Sequence, residues 1–277
     1  MQGATLQKII LLRYYCNNMP NTKREFANGE IYHIFNRGVE KRTVFMDDSD
    51  YYRFIFSLYE CNDATSVRVG LRIIERRQSS ARSHLASLQG ATLQNSEARK
   101  REPLVEAVAF TLMPNHYHLI LRQLVEGGIS LFMKKIGNAY TGYFNERHNR
   151  KRMGALFQGR FKSVHIADDD QFLHLAEYVF SNPVELVEPN WKLAGAQDPA
   201  AAIEYLNNYK WSSYPDSIGN KNFPSVTERD FLWKVFSGSS NRQKGMDRVK
   251  EYTEAWIKNK NYLFSGLAIA QKLSPDR

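Results

Sequence analysis

The sequence predicts an α+β fold with helices packed on an antiparallel sheet. Three observations lead there. Runs of β-branched and aromatic residues alternate with amphipathic helical patterns in the order strand, helix, two strands, helix, strand, helix. Two of the strands are separated only by a Met-Pro-Asn turn, too short for a parallel crossover. The hydrophobic share, 43 % of 277 residues, is enough to bury a sizeable core.

The first strand is Glu30-Ile31-Tyr32-His33-Ile34-Phe35, ended by the turn signal Asn36-Arg37-Gly38. Asp47 and Asp48 offer N-caps to a helix whose Tyr51, Phe54, Ile55, Leu58 and Tyr59 keep the three-four spacing of one buried face. From about 64 to 102 the periodicity fails and Ser, Arg, Gln and Ala accumulate, which reads as an insertion. Within it Gln89-Gly90-Ala91-Thr92-Leu93-Gln94 repeats Gln2-Gly3-Ala4-Thr5-Leu6-Gln7 letter for letter, and two copies do not make a solenoid. Leu104 to Leu112, the turn at Met113-Pro114-Asn115 and His116 to Leu121 read as an antiparallel hairpin. Gly127-Gly128 precedes a long helix with the apolar stripe Ile129, Phe132, Met133, Ile136, Tyr140, Tyr143 and Phe144. A further strand, Phe161 to Ile166, leads to Asp168-Asp169-Asp170, three acids suited to the positive end of a helix that runs to Asn182, the residue before Pro183. A ferredoxin-like sandwich is the nearest match to this order. The chain divides into an N-terminal extension (1–25), a patterned domain (26–216) with the insertion inside it, and a C-terminal helical tail (217–277).

Charge narrows the function classes. The 38 Lys and Arg against 29 Asp and Glu leave +9, which favours a polyanionic partner. Lys134, Lys135, Arg147, Arg150, Lys151, Arg152, Arg160 and Lys162 face a single acid, Glu146, within one stretch, and Tyr140, Tyr143, Phe144, Phe157 and Phe161 are interleaved with them. That mixture suits phosphate contacts combined with base stacking. Arg37 and Arg122 join Lys134, Lys135, Arg150, Lys151, Arg152, Arg160 and Lys162 as candidate nucleic-acid contacts, which the resemblance given below makes DNA contacts. No run approaches the roughly 18 apolar residues of a membrane span, so no membrane partner is expected. Two cysteines, Cys16 and Cys61, form no CxxC pair; a reducing, cytoplasmic setting is expected.

Two places can carry chemistry. In a strand His116 and His118 share a face while Tyr117 points away, so two imidazoles are offered side by side as metal ligands. Alone, this pattern reads more simply as two histidines on a half-wet strand. The helix after Asp170 buries Phe172, Leu173, Ala176, Val179 and Phe180 and leaves Gln171, His174, Tyr178 and Asn182 on a separate stripe. Tyr178 and Asn182, one turn apart, can address one point in space, as nucleophile and as oxygen ligand. A surface tyrosine beside a helix-terminal asparagine is the plainer reading of that pair.

Several blocks in order resemble the REP-associated tyrosine transposases, a branch of the single-tyrosine HUH, IS200-like transposases. They are Tyr32-His33-Ile34-Phe35-Asn36-Arg37-Gly38, Met113-Pro114-Asn115-His116-Tyr117-His118, Tyr143-Phe144-Asn145, Leu156-Phe157-Gln158-Gly159-Arg160-Phe161-Lys162, Tyr178 through Asn182-Pro183-Val184, and Trp211-Ser212-Ser213-Tyr214. The resemblance spans roughly 26–216. It implies an enzyme that cleaves and rejoins single-stranded DNA at palindromic, hairpin-forming elements with Mg²⁺ or Mn²⁺. His116, His118 and Asn182 would then hold the metal and Tyr178 would be the nucleophile. His174, one turn earlier, is a weak candidate for the base. Two other readings stay open: a catalytically silent hairpin-DNA-binding protein, and a metal-dependent RNA-processing nuclease. The resemblance implies either a homodimer that shares active sites, as in related single-tyrosine transposases, or a monomer, as in the REP-associated branch.

Overall fold

The computed structural model describes residues 25–64, 101–150 and 154–258. Both copies of the repeated hexapeptide, most of the insertion, Lys151 and Arg152 lie outside the described residues. Four strands form one antiparallel sheet: β1 (Ile31–Arg37), β2 (Val105–Met113), β3 (His116–Gln123) and β4 (Lys162–Ile166), in the order β2-β3-β1-β4. Helix α1 (Asp48–Glu60) connects β1 to β2 and α2 (Gly128–Arg147) connects β3 to β4. Each helix thus joins two parallel strands that flank a third, the doubled split β-α-β of the expected ferredoxin-like sandwich.

Local chemistry explains the elements. Asp47 caps α1 by accepting from the amides of Ser49 and Asp50, and Asp168 caps α3 (Asp169–Ser181) by accepting from Gln171 N. Pro114-Asn115 closes the β2–β3 hairpin in two residues. Strand β2 carries an irregularity in register between Ala107 and Ala109. The extra residue shifts the side-chain alternation, so that Ala107 and Phe110 both reach the core beneath α1 and α2, and Val108 and Ala109 both reach the core beneath α3. The expected end of α3 is also found: beyond Ser181 the chain tightens into a 3₁₀ turn, Asn182–Leu186, with Pro183 in its first turn, where a missing N–H costs nothing.

The sheet is buried on both faces. On one, Tyr32, Ile34, Tyr117, Leu119 and Leu121 pack against α1 and α2 through Phe54, Phe132, Ile136 and Tyr140. On the other, Ile120 and Ile166 pack against α3 and a layer made by the later helices. These are α4 (Trp191–Ala194), α5 (Pro199–Asn208), α6 (Tyr214–Ser217), α7 (Asp230–Ser237) and α8 (Arg242–Lys258). Leu232, Trp233 and Phe236 of α7 and Val249, Trp256 and Ile257 of α8 belong to this second core, so the described tail helices hold α3 in place.

Candidate active site

Strand alternation builds the first half of the site. His116 and His118 of β3 turn to the face covered by α3, with ring centroids 5.1 Å apart and planes at 88°, while Tyr117 is buried in the opposite core. The neighbouring β1 places His33 on the same face. His33 Nε2 lies 2.8 Å from His118 Nδ1, a buried hydrogen bond between residues 85 positions apart. His116 Nδ1 lies 2.6 Å from Asn115 Oδ1, to which it donates. Each β3 histidine therefore has Nδ1 engaged by a fixed neighbour; with His118 Nδ1 also donating, both present an unprotonated Nε2, the ligating form of an imidazole.

Helix α3 supplies the second half. The Tyr178 ring stands edge-on to His118, with centroids 5.4 Å apart, and to His33 at 6.4 Å. One turn later Asn182 is buried beside His116; its Nδ2 donates to the Tyr178 carbonyl at 3.1 Å. Asn182 Oδ1 accepts from Lys192 Nζ at 3.2 Å. The same ammonium sits 3.3 Å from Glu185 Oε2 and 4.6 Å from the centre of the Tyr178 ring. Three separate stretches of chain, β1, β3 and the run from α3 to α4, thus meet at one point.

Burial sets the electrostatics. It lowers the His33 pKa to about 3. It does the same for His116, helped by the charges of Arg37 and Lys192, and holds His118 well below the usual imidazole range, helped by His33, His116, Lys192 and Arg37. All three imidazoles are neutral near pH 7. Two neutral imidazoles and a carboxamide oxygen make a mixed nitrogen and oxygen donor set that fits a divalent cation of borderline softness. Among the described residues no three His, Cys, Asp or Glu side chains are placed to hold a metal ion together.

The predicted basic residues scatter. Arg37 stands opposite His116 in the β1–β3 register, and Arg160 and Lys162 lie on the chain entering β4, where Lys162 stands opposite Phe35. These three border the histidine end of the sheet. Arg122 sits at the far end of β3, paired with Glu106 and stacked on Phe231 at 5.3 Å. Lys134 and Lys135 belong to α2, on the opposite face of the sheet, and Lys135 Nζ donates to the Asp63 carbonyl. Arg150 lies 5.6 Å from the centre of the Phe144 ring. Tyr140, also on that opposite face, is fully buried and donates to the Val44 carbonyl, and burial raises its pKa far above the ordinary phenol. His174 is drawn to Glu177, 3.4 Å away, and to the Trp256 ring on α8. Sequence reasoning missed two residues of the cluster, His33 and Lys192. The strand pattern Tyr32-His33-Ile34 held the signal for His33, because in β1 only its alternate residues can face α3.

Comparison with known proteins now adds to the geometry. Residues 73–182 match the family model described as IS200-like transposase. The match includes His116, His118, Tyr178 and Asn182 and begins inside the segment read as an insertion; the blocks Tyr32–Gly38 and Trp211–Tyr214 lie outside it. A solved structure of a REP-associated tyrosine transposase bound to a REP hairpin is matched at 15 % identity and a TM-score of 0.42, over 76 % of this chain and 93 % of that one. No curated protein matches. Among the described residues, no helix is long and apolar enough to cross a membrane.

Proposed function

We propose that this IS200-like protein nicks and rejoins single-stranded DNA at hairpin-forming repeats, with Tyr178 as nucleophile. The observation that carries the reading is the convergence of Tyr178, His116, His118 and Asn182 on one point between the sheet and α3. Tyr178 Oη attacks the scissile phosphorus in line, the P–O3′ bond breaks, and the departing oxygen leaves as a free 3′-OH. The product is a 5′-phosphotyrosine, whose ester bond a second 3′-OH displaces without ATP. A phosphodiester is anionic and repels nucleophiles, so positive charge is needed beside it. Arg37 and Lys192 lie close enough to the histidine pair to lower its proton affinity, and they provide two protein charges there. His116, His118 and Asn182 would hold Mg²⁺ or Mn²⁺, which when bound neutralises a non-bridging oxygen of the phosphate. His33 and Asn115 keep the two imidazoles oriented. Arg37, Arg160 and Lys162 would meet the strand at the open end of the sheet.

The test is a denaturing gel with end-labelled single-stranded hairpin DNA from repeats flanking the gene, with Mn²⁺ or Mg²⁺, comparing the natural chain with Tyr178→Phe. A covalent adduct present in the first and absent in the second supports the reading. Hairpin binding without nicking or adduct in either metal would replace it with a silent binder. An adduct that survives Tyr178→Phe would move the nucleophile elsewhere, and equal cleavage of a matched ribo-hairpin would favour an RNA-processing nuclease.

A further inference from the structure

The position of Lys192 has a consequence for cation binding, and it rests on the metal-site reading above. Three contacts fix the ammonium: Asn182 Oδ1 at 3.2 Å, Glu185 Oε2 at 3.3 Å and the Tyr178 ring at 4.6 Å. Its charge also bears on both His116 and His118. The lysine reaches this place because the chain reverses after α3: the 3₁₀ turn Asn182–Leu186 is followed by Asn190 in the left-handed region (φ 70°), which starts α4. We propose that Lys192 is a built-in monovalent cation that occupies the oxygen of Asn182 and must be displaced before a divalent cation can use that oxygen as its third protein ligand.

The reason is one of charge, because the carboxamide oxygen has a second lone pair and it is the ammonium's positive charge beside it that opposes a dication there. An ammonium hydrogen and a divalent cation both seek the carboxamide oxygen, and both are repelled by the other's charge at this range. Asn182 cannot answer by turning over, since its Nδ2 is held by the Tyr178 carbonyl. Lysine is a compact charge on a flexible stem, so it can leave Asn182 while Glu185 keeps it near. Released from Asn182, it stays beside the Tyr178 ring, where an anionic phosphate would meet it. The arrangement makes Lys192 a positioning residue with two stations, one for the metal-free site and one for the loaded site.

The experiment titrates Mn²⁺ alone into the full-length chain and follows the six-line electron paramagnetic resonance signal of free Mn²⁺. It compares the natural protein with Lys192→Met, and with His116→Ala as the site control. Lys192→Met should bind Mn²⁺ about tenfold more tightly, the worth of one hydrogen bond to a charged group, and His116→Ala should lose the site. Equal or weaker binding by Lys192→Met, with the natural chain binding in a His116-dependent way, overturns the role of Lys192 and leaves the metal site standing. No His116-dependent binding by either protein overturns the metal site itself. Should Lys192→Met fail to fold, acylation of Lys192 in the natural chain decides: added Mn²⁺ should increase its modification by an N-hydroxysuccinimide ester, read by mass spectrometry, and no change or a decrease overturns the proposal.

Discussion

His33 shows what a single residue can contribute without touching a substrate. Its Nε2 fixes the Nδ1 of His118, and the ring lies 4.8 Å from Phe35 and 5.0 Å from His118, centroid to centroid. His33→Phe keeps a flat ring in that stack and removes the hydrogen bond. Outer partners of metal-binding histidines are typically worth 10–100-fold in affinity, so Mn²⁺ binding should weaken by about that range, and His33→Gln, which retains a polar partner, should recover part of it. The same buried imidazoles set a pH dependence in the metal-free chain. Their folded pKa values lie below the ordinary histidine value, so the fold disfavours their protonated form. Stability is then fully present above about pH 6.5 and is lost as pH falls from there toward 3, because the unfolded chain takes up protons that the folded chain does not. Denaturant melts at pH 7, 5 and 4 should show this fall, and His33→Phe should flatten it. In sequence His33 is one more residue of a strand; its partner is 85 positions away, and only the pairing of β1 with β3 brings the two rings together.

At the scale of elements, α3 carries the whole second half of the site, and its two ends were legible for definite reasons. Three consecutive acids before an apolar periodicity suit a helix start, and Asp168 does accept from Gln171 N; a proline after Asn182 marks the other limit. Asp168→Ala should lower stability by about 1 kcal/mol, read as a shift in the unfolding midpoint at unchanged slope. The buried side of α3 was less legible. Glu177 looks like a solvent-facing helix residue, yet it is fully buried; His174 Nδ1 lies 3.4 Å from its Oε2 and favours the charged form, but burial outweighs that neighbour and raises its pKa. An acid raised in this way is favoured in its neutral form, so its cost to the fold appears as pH rises past its ordinary value. Glu177→Gln should therefore stabilise the protein at pH 8 by about 1–2 kcal/mol and leave it little changed at pH 4. An equal effect at both values would show that the carboxylate is not desolvated. The basic stretch was the least legible feature, since composition counts charges and does not show which are engaged: Lys135 donates to the Asp63 carbonyl, and Arg147 is paired with Asp47.

For the whole molecule, the arrangement depends on two cores on opposite faces of one sheet, and the second is closed by helices that the sequence presented only as a polar, helical tail. The closure is tight at one point. A Cβ added to Gly245 in α8 would lie 2.3 Å from the Cβ of Trp233 in α7, far inside any real contact, so the two helices approach at a distance only glycine permits. Gly137 in α2 is the counter-case, because a Cβ there meets nothing within 4 Å. The same substitution should then act with opposite sign at the two places. Gly137→Ala should stabilise by about 0.5–1 kcal/mol through helix propensity alone. Gly245→Ala should destabilise by about 1–3 kcal/mol through overpacking, since Trp233 is held by its Nε1–H donating to the Ser217 carbonyl at 2.9 Å and cannot swing away without losing that bond. The effect should reach the site, because α7 and α8 pack on α3 through Phe172 and Phe231, 5.1 Å apart, and through His174 and Trp256. Loosening them frees the helix that presents Tyr178. Covalent adduct formation on hairpin DNA should consequently drop in Gly245→Ala at a temperature where the protein is still folded, while Gly137→Ala leaves it unchanged. Destabilisation without loss of adduct would mean that the second core supports the fold and not the placement of the tyrosine.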